Sequence, residues 1–413
     1  MNDFPATRAI EDWLEGLCTP AAGDDQRAPV LFILDNDYGE LTTVLYLILG
    51  QECFRHARIL LSPRLYQNNG DVLPGRIGLW TSERDLADSI DALKPGVVIF
   101  ASAYLMPVHN LLTAEAIERL CALARRHNAV VVTADPFLGL LTQWSGRLQQ
   151  LISIDIPENA GEHLRAVKQS ADRMLHNKLS EVEGVLRDLP HLYPSYTDMD
   201  CVETFASDSR NVSFFNDTLL LPPHVAPTGP ASTPHWMFVI SEADYSTQYM
   251  SLGNARFARV VANLLAQTAR LGRHAIFVGP AELLDLVTPE LPADERIHLV
   301  RFCSFRRLMS LLLSAEYSFY WNVVSHSILM QLWNGRPVIL FNRGHLARAV
   351  RPIYERVIAW YYQGCEPPYL DDHAELSLPA LEHAVAAHAE RRSQITERFR
   401  RAPSPAAVLA SLY

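Results

Sequence analysis

The strongest constraint on this chain is an alternation that runs through it twice. Short apolar runs, Val30–Leu34, Ala57–Leu61, Gly96–Ala101 and Ala129–Thr133, are separated by segments such as Leu41–Leu49 and Ala114–Arg126 whose apolar residues fall at helical spacing. Apolar runs without a polar alternate fit strands buried on both faces. Strands taking turns with helices predict parallel sheets covered on both sides. A leading helix is expected from Ile10, Trp13, Leu14 and Leu17.

The rhythm breaks over residues 155–234. Glu162–Leu189 reads as a charged helix, and Pro190, Pro194, Pro222, Pro223, Pro227, Pro230 and Pro234 then punctuate the chain. Pro222–Pro234 is the best linker candidate. The alternation restarts at Trp236–Ile240. It continues through a helix over Asn254–Leu271, strands at Ala275–Val278 and Ile297–Val300, a helix over Phe305–Ser314, a strand at Tyr317–Trp321, a helix over Ser325–Asn334 stopped by Gly335, and a strand at Val338–Phe341. Pro379–Leu412 reads as helical. Two α/β domains are therefore predicted, residues 1–225 and 236–413, which agrees with a length of 413 residues.

Composition removes several classes. A formal net charge of −10 lacks the phosphate-neutralising surface that a nucleic-acid binder needs. The six cysteines show no CxxC and no zinc spacing, as expected of reduced thiols in the cytoplasm. The first residues do not read as a signal peptide, and no apolar run approaches the roughly 20 residues of a spanning helix. The sequons at Asn211 and Asn216 are read as chance matches. Phosphate loops, dinucleotide fingerprints, nucleophile elbows and zinc-protease helices are all missing from the sequence.

In parallel α/β sheets ligands gather at the carboxyl ends of the strands. The residues just after each strand are therefore the candidates. After the first strand comes Asp35-Asn36-Asp37-Tyr38-Gly39-Glu40, read as a loop, where a carboxylate of Asp35, Asp37 or Glu40 would deprotonate or orient an acceptor group. Asp135 follows the Ala129–Thr133 strand and is a further base candidate. In the second half, Ser241, Gly279, Asn322, Ser325, His326, Ser327, Asn342 and Arg343 occupy strand ends or helix starts. A helix N-terminus with free N–H groups suits an anion, and Ser325 and Ser327 add hydroxyls. The plainer role for Ser325 is a helix cap.

This second half resembles the donor domain of GT-B glycosyltransferases. There a polar loop and helix N-terminus follow the penultimate strand, as Asn322 and Ser325-His326-Ser327 do here, and a turn like Gly335-Arg336-Pro337 enters the last. The resemblance implies two Rossmann-like domains with parallel sheets facing a central cleft. It implies a nucleotide-sugar donor in the C-domain, an acceptor in the N-domain, and no metal. Many such proteins carry a Glu on this helix for the ribose. Met330-Gln331 stands here, with Gln331 left to bond the ribose hydroxyls. The Asp35–Glu40 loop, with Tyr38 and Gly39 beneath the acceptor, is similar to the Asp-Asn-aromatic-Gly-Asp loop of bacterial protein-arginine rhamnosyltransferases, with one residue inserted and Glu40 for the last Asp. Asp35-Asn36-Asp37 also spells the metal-binding DxD of GT-A enzymes, but only one strand precedes it.

The implied activity is transfer of a sugar to a soluble or protein acceptor. A pyruvyl-transferase-like enzyme and a catalytically silent GT-B-like scaffold remain as alternatives. The segment Leu346–Tyr362, with Arg348, Arg351 and Arg356 among aromatic and aliphatic residues, leaves peripheral membrane contact open. Its apolar residues surround most of the helix, and the net charge is negative, so a packed helix in a soluble protein is expected.

Overall fold

The strands of the described residues fall into two sheets, both parallel throughout. The structure is a computed structural model describing residues 5–18, 29–36, 38–134, 162–194, 211–226, 234–301, 303–323, 325–341, 362 and 364–413. The chain divides into two compact units. The first comprises Glu15–Ile152, Ser170–Leu219 and Arg398–Tyr413; the second comprises Met1–Leu14, Ser153–Gln169 and Leu220–Glu397. The sequence reading divides the chain at 225 and 236; in this division Met1–Leu14 goes with the second unit and Arg398–Tyr413 with the first.

Helix α1 (Pro5–Cys18) leads into the first unit. There follow β1 (Val30–Leu34), α2 (Tyr38–Ile48), β2 (Arg58–Leu61), α3 (Pro63–Asn69), β3 (Ile77–Leu79), α4 (Glu83–Leu93), β4 (Val97–Ala101), α5 (Leu105–Val108), α6 (Ala114–Arg126), β5 (Val130–Ala134), α7 (Glu162–Leu186), β6 (His191–Pro194) and β7 (Asn211–Phe214). The strand order is β3-β2-β1-β4-β5-β6-β7. β1 lies at the centre, with Phe32 opposite Ile59 on one side and Ile99 on the other. All five of its residues are buried, as its unbroken apolar run requires.

The second unit continues with β8 (His235–Val239), α8 (Glu242–Leu252), α9 (Asn254–Arg270), β9 (His274–Gly279), α10 (Ala281–Val287), β10 (Ile297–Arg301), α11 (Phe305–Ser314), β11 (Tyr317–Tyr320), α12 (His326–Trp333), β12 (Val338–Phe341), β13 (Tyr369–Leu370) and α13 (Leu378–Phe399); α14 (Pro405–Leu412) returns to the first unit. The order is β10-β9-β8-β11-β12-β13. Its core is aromatic: Phe238 stacks on Phe319 at 4.6 Å between ring centres, and Trp321 lies against Phe341 at 4.6 Å. Each such pair adds about 0.5–1.5 kcal/mol beyond burial.

The predicted strands and helices are present with ends shifted by up to three residues. Four short strands were missed, β3, β6, β7 and β13, which are brief or carry proline. The tail read as one helix is two, parted at residues 400–404, where Pro403 interrupts and Ser404 caps α14 by accepting from the Ala407 N–H. Leu346–Tyr361 lies outside the described residues. Tyr362 is buried and donates to the Val323 carbonyl.

The sequon asparagine Asn216 is fully buried, which excludes it as a glycan acceptor. Its amide Nδ2 donates to the carbonyls of Tyr46 (2.8 Å) and Leu49 (2.9 Å), and its Oδ1 accepts from Gln51 (2.8 Å) and the Thr218 hydroxyl (2.6 Å). Gly50 passes beside this knot at φ +70, where a Cβ would meet Thr218 Oγ1 at 2.6 Å. Removing the amide strands several buried partners. Asn216→Ala should cost about 2–4 kcal/mol, read as a lowered urea midpoint with an unchanged slope. A midpoint equal to the wild type would show that the knot contributes nothing.

Candidate functional site

Each sheet reverses its strand order beside its first strand. In the first unit the reversal lies between β1 and β4, and in the second between β8 and β11. This is the 3-2-1-4-5-6 order of doubly wound sheets, in which the crevice at the reversal receives the ligand.

In the first unit the chain leaves β1 at Asp35, which is completely buried. The Trp80 indole donates to the Leu34 carbonyl (3.0 Å) and the Ser62 hydroxyl to the Asp35 carbonyl (2.8 Å), fixing the strand end. The chain leaves β4 through Ser102, at φ 54, and the short helix α5, which delivers His109. Nδ1 of His109 lies 3.0 Å from Oδ2 of Asp35. The carboxylate side chain is 0% exposed and the imidazole 35%. A carboxylate at Asp35 can only accept, so in that pairing Nδ1 is the donor. The two side chains meet at the crevice.

This arrangement corrects the reading of Asp35. Its carboxylate is fully buried and turned to His109, not to the open side where an acceptor would lie. The strand-end rule missed His109 because α5 carries it eight residues past Ala101. Helix α2 also starts earlier than expected, at Tyr38, so Gly39 and Glu40 belong to its first turn and not to a loop. Thr42 and Thr43 donate to the Tyr38 and Gly39 carbonyls, each at 3.0 Å. Glu40 is buried there, where the helix dipole favours its charge. Tyr38 accepts from Asn68 (2.8 Å), and the Arg64 guanidinium lies 5.9 Å from its ring centre. Asp37 and Asp135 lie outside the described residues.

In the second unit Ser241 follows β8 and caps α8. It accepts from the Asp244 N–H (3.1 Å) and donates to the Asp244 carboxylate (2.6 Å). Across the reversal, β11 runs through Trp321 to Asn322 and then Ser325, which caps α12 by accepting from the Ser327 N–H at 3.3 Å. The two serine hydroxyls are 2.7 Å apart. Behind them, Gln331 Nε2 donates to the Tyr320 hydroxyl (2.5 Å), which donates to Ser327 Oγ (3.2 Å). A hydrogen-bonded line thus runs from the interior to the start of α12. Ser241, Asn322 and Ser325–Ser327 share the reversal.

Three expected ligands take other places. Gln331 is fully buried, with Nε2 also donating to the Ser327 carbonyl (3.1 Å), so its amide nitrogen is committed inside the unit and not offered to a ribose. His326 is buried, and burial holds its pKa down to about 3, so it is a neutral interior group and no phosphate clamp. Gly279 ends β9 where a Cβ would meet Ile240 and Phe277 at 3.1 Å, a packing reason for glycine. Asn342 and Arg343 lie outside the described residues. Among the described residues no group of three or more His, Cys, Asp or Glu is placed to hold a metal, and no helix is long and apolar enough to cross a membrane.

Two doubly wound parallel sheets in one chain, each with polar side chains at its reversal, define the GT-B fold, with two Rossmann-like units. The chain is similar to the spinosyn forosaminyltransferase SpnP at 13% identity, over 94% of this chain and 98% of that one, with a TM-score of 0.50. The spinosyn rhamnosyltransferase SpnG matches at 14% identity over 94% and 99% with a TM-score of 0.48. A sucrose-phosphate synthase from Thermosynechococcus elongatus matches at 14% identity over 94% and 98%, with a TM-score of 0.47. The first of these carries the likeness of fold. No protein family model and no curated protein matches the sequence.

Proposed function

We propose that this protein is a cytoplasmic glycosyltransferase. The second unit would hold a nucleotide-activated sugar and the first unit a hydroxyl-bearing acceptor, soluble or on a protein. The observation that carries the reading is the buried Asp35 carboxylate on Nδ1 of the half-exposed His109. His109 Nε2 takes the acceptor proton as the acceptor oxygen attacks the anomeric carbon. The bond from that carbon to the diphosphate breaks, and the diphosphate leaves with the electron pair. Asp35 stabilises the imidazolium that forms. The N-terminus of α12, with Ser325 and Ser327, receives the diphosphate charge, so the transfer as proposed is metal-independent.

The experiment is a thermal-shift panel of nucleoside diphosphates and nucleotide sugars, followed by diphosphate release from whichever donor binds. Stabilisation by one nucleotide and turnover of its sugar support the reading; no shift with any nucleotide defeats it. Ser325→Ala with Ser327→Ala should weaken nucleotide binding by about 1–3 kcal/mol. Unchanged affinity in that double variant would move the donor elsewhere.

The committed Gln331 amide favours one second reading, a nucleotide-binding protein without transferase activity. Stabilisation by a nucleoside diphosphate with no donor turnover against any acceptor would select it.

A further inference from the structure

At the end of the second unit's sheet where β12 begins, two arginines from different elements come together. Arg336 lies in the turn from α12 to β12, and Arg392 lies on α13. The hydroxyl of Thr396, one turn beyond Arg392, donates to the carbonyl of Trp333, three residues before Arg336, at 3.4 Å. Both arginines are half-buried. Among the described residues neither guanidinium has a hydrogen bond or an ion pair, and Arg336 Nε and Arg392 Nη1 are shut off from solvent with no acceptor.

Helix capping does not explain Arg336. The last carbonyls of α12 are already taken by backbone N–H groups of residues 334–336 and by the Asn334 amide. Burial lowers the pKa of both arginines, and the Arg392 charge lowers that of Arg336 further. Glu366 lies near enough to raise the pKa of His388, but burial and like charge are the causes that shift the arginines. Partly desolvated like charges with unmet donors are costly unless an anion joins them. Guanidinium forks match phosphate oxygens in pairs.

We propose that Arg336 and Arg392 form a binding site for a small oxyanion, a free phosphate or the phosphate group of a phosphorylated metabolite. The site lies at the opposite end of the second unit's sheet from Ser325, and it does not depend on the transferase reading.

The test is calorimetry on the full chain with inorganic phosphate and with a hexose monophosphate, at ionic strength matched with chloride. Wild type and the Ser325→Ala, Ser327→Ala variant should both bind with one site. Arg336→Gln and Arg392→Gln should each bind at least tenfold more weakly. Tighter binding of the hexose monophosphate would mark a metabolite as the source, and tighter binding of phosphate the free ion; both support the site. In phosphate-free buffer the arginine variants should melt at or above the wild-type temperature, because each removes an unmet charge. Phosphate should raise the melting temperature of wild type but not theirs. No binding at millimolar phosphate, full binding in both arginine variants, loss in the serine variant instead, or arginine variants that melt lower without phosphate would each overturn the proposal.

Discussion

Replacing His109 with glutamine should slow sugar transfer by about a hundred- to ten-thousand-fold, the usual worth of a positioned base. Glutamine keeps a polar side chain but cannot accept a proton at neutral pH. Nucleoside-diphosphate affinity should not move, because His109 belongs to the first unit and the donor residues to the second. Asp35→Asn is the sharper probe. Asparagine fits the same space, but its amide no longer demands a proton on Nδ1, and the wrong imidazole tautomer is then free to form. A comparable loss in rate with an unchanged KM is expected. The measurement is diphosphate release with the donor found by the thermal-shift panel. Wild-type turnover in His109→Gln would remove the base from the mechanism.

Acid should destabilise the fold well above the range where carboxylates titrate. His235 opens β8 with both faces covered, and Nε2 donates to the Leu311 carbonyl at 3.0 Å. Burial pushes its pKa down to about 4, and burial alone pushes that of His326 down to about 3. His326 also sits at the positive end of α12, which disfavours a proton further. In the unfolded chain both rings titrate near 6.5. Their neutral burial is therefore fully stabilising above about pH 6.5. As pH falls below that, the unfolded chain takes up protons that the folded one refuses. Each histidine then removes about 1.4 kcal/mol per pH unit, and the pair about 4 kcal/mol by pH 5. Below about pH 4 the folded protein protonates His235 as well, and that share stops growing. Urea midpoints at pH 7.5, 6.5, 5.5 and 5 read this directly. His235→Gln, which can still donate to Leu311, should flatten the slope by about one proton. Equal midpoints at pH 7.5 and pH 5 would contradict the assignment.

The doubly wound layout was legible because buried parallel strands leave unbroken apolar runs. Val30–Leu34 and Val97–Ala101 carry no polar residue, and they are neighbours in the interior of the first unit's sheet. The short strands β6 and β13 were not legible. Tyr369–Leu370 is two residues long, and His191–Pro194 ends in a proline, so neither leaves a periodic signal. The strand-end rule led to Asp35 and Ser325, but not to the His109 that Asp35 contacts. Whether a carboxylate meets substrate or meets a histidine depends on a neighbour 74 residues away in the sequence. The burial of Gln331 and His326 was hidden for a related reason. Helical spacing places them in the right segment, but it does not tell which side of α12 faces inward.

The exchange of chain ends bears on how the protein is made. Strand β7 is the outer edge of the first unit's sheet, and the Phe215 N–H that follows it donates to the Pro403 carbonyl at 2.9 Å. The rings of Phe215 and Phe399 stack beside that bond at 6.4 Å. During synthesis the ribosome must emit the second unit's whole sheet before residues 398–413 exist to meet β7. Until then that edge strand lacks the Pro403 and Phe399 contacts beside it, and a bare edge is the kind of surface that recruits stray strands. A nascent chain halted near residue 230 should therefore hold its first unit in an aggregation-prone form, and a gene cut between the two sheets would preserve that form permanently.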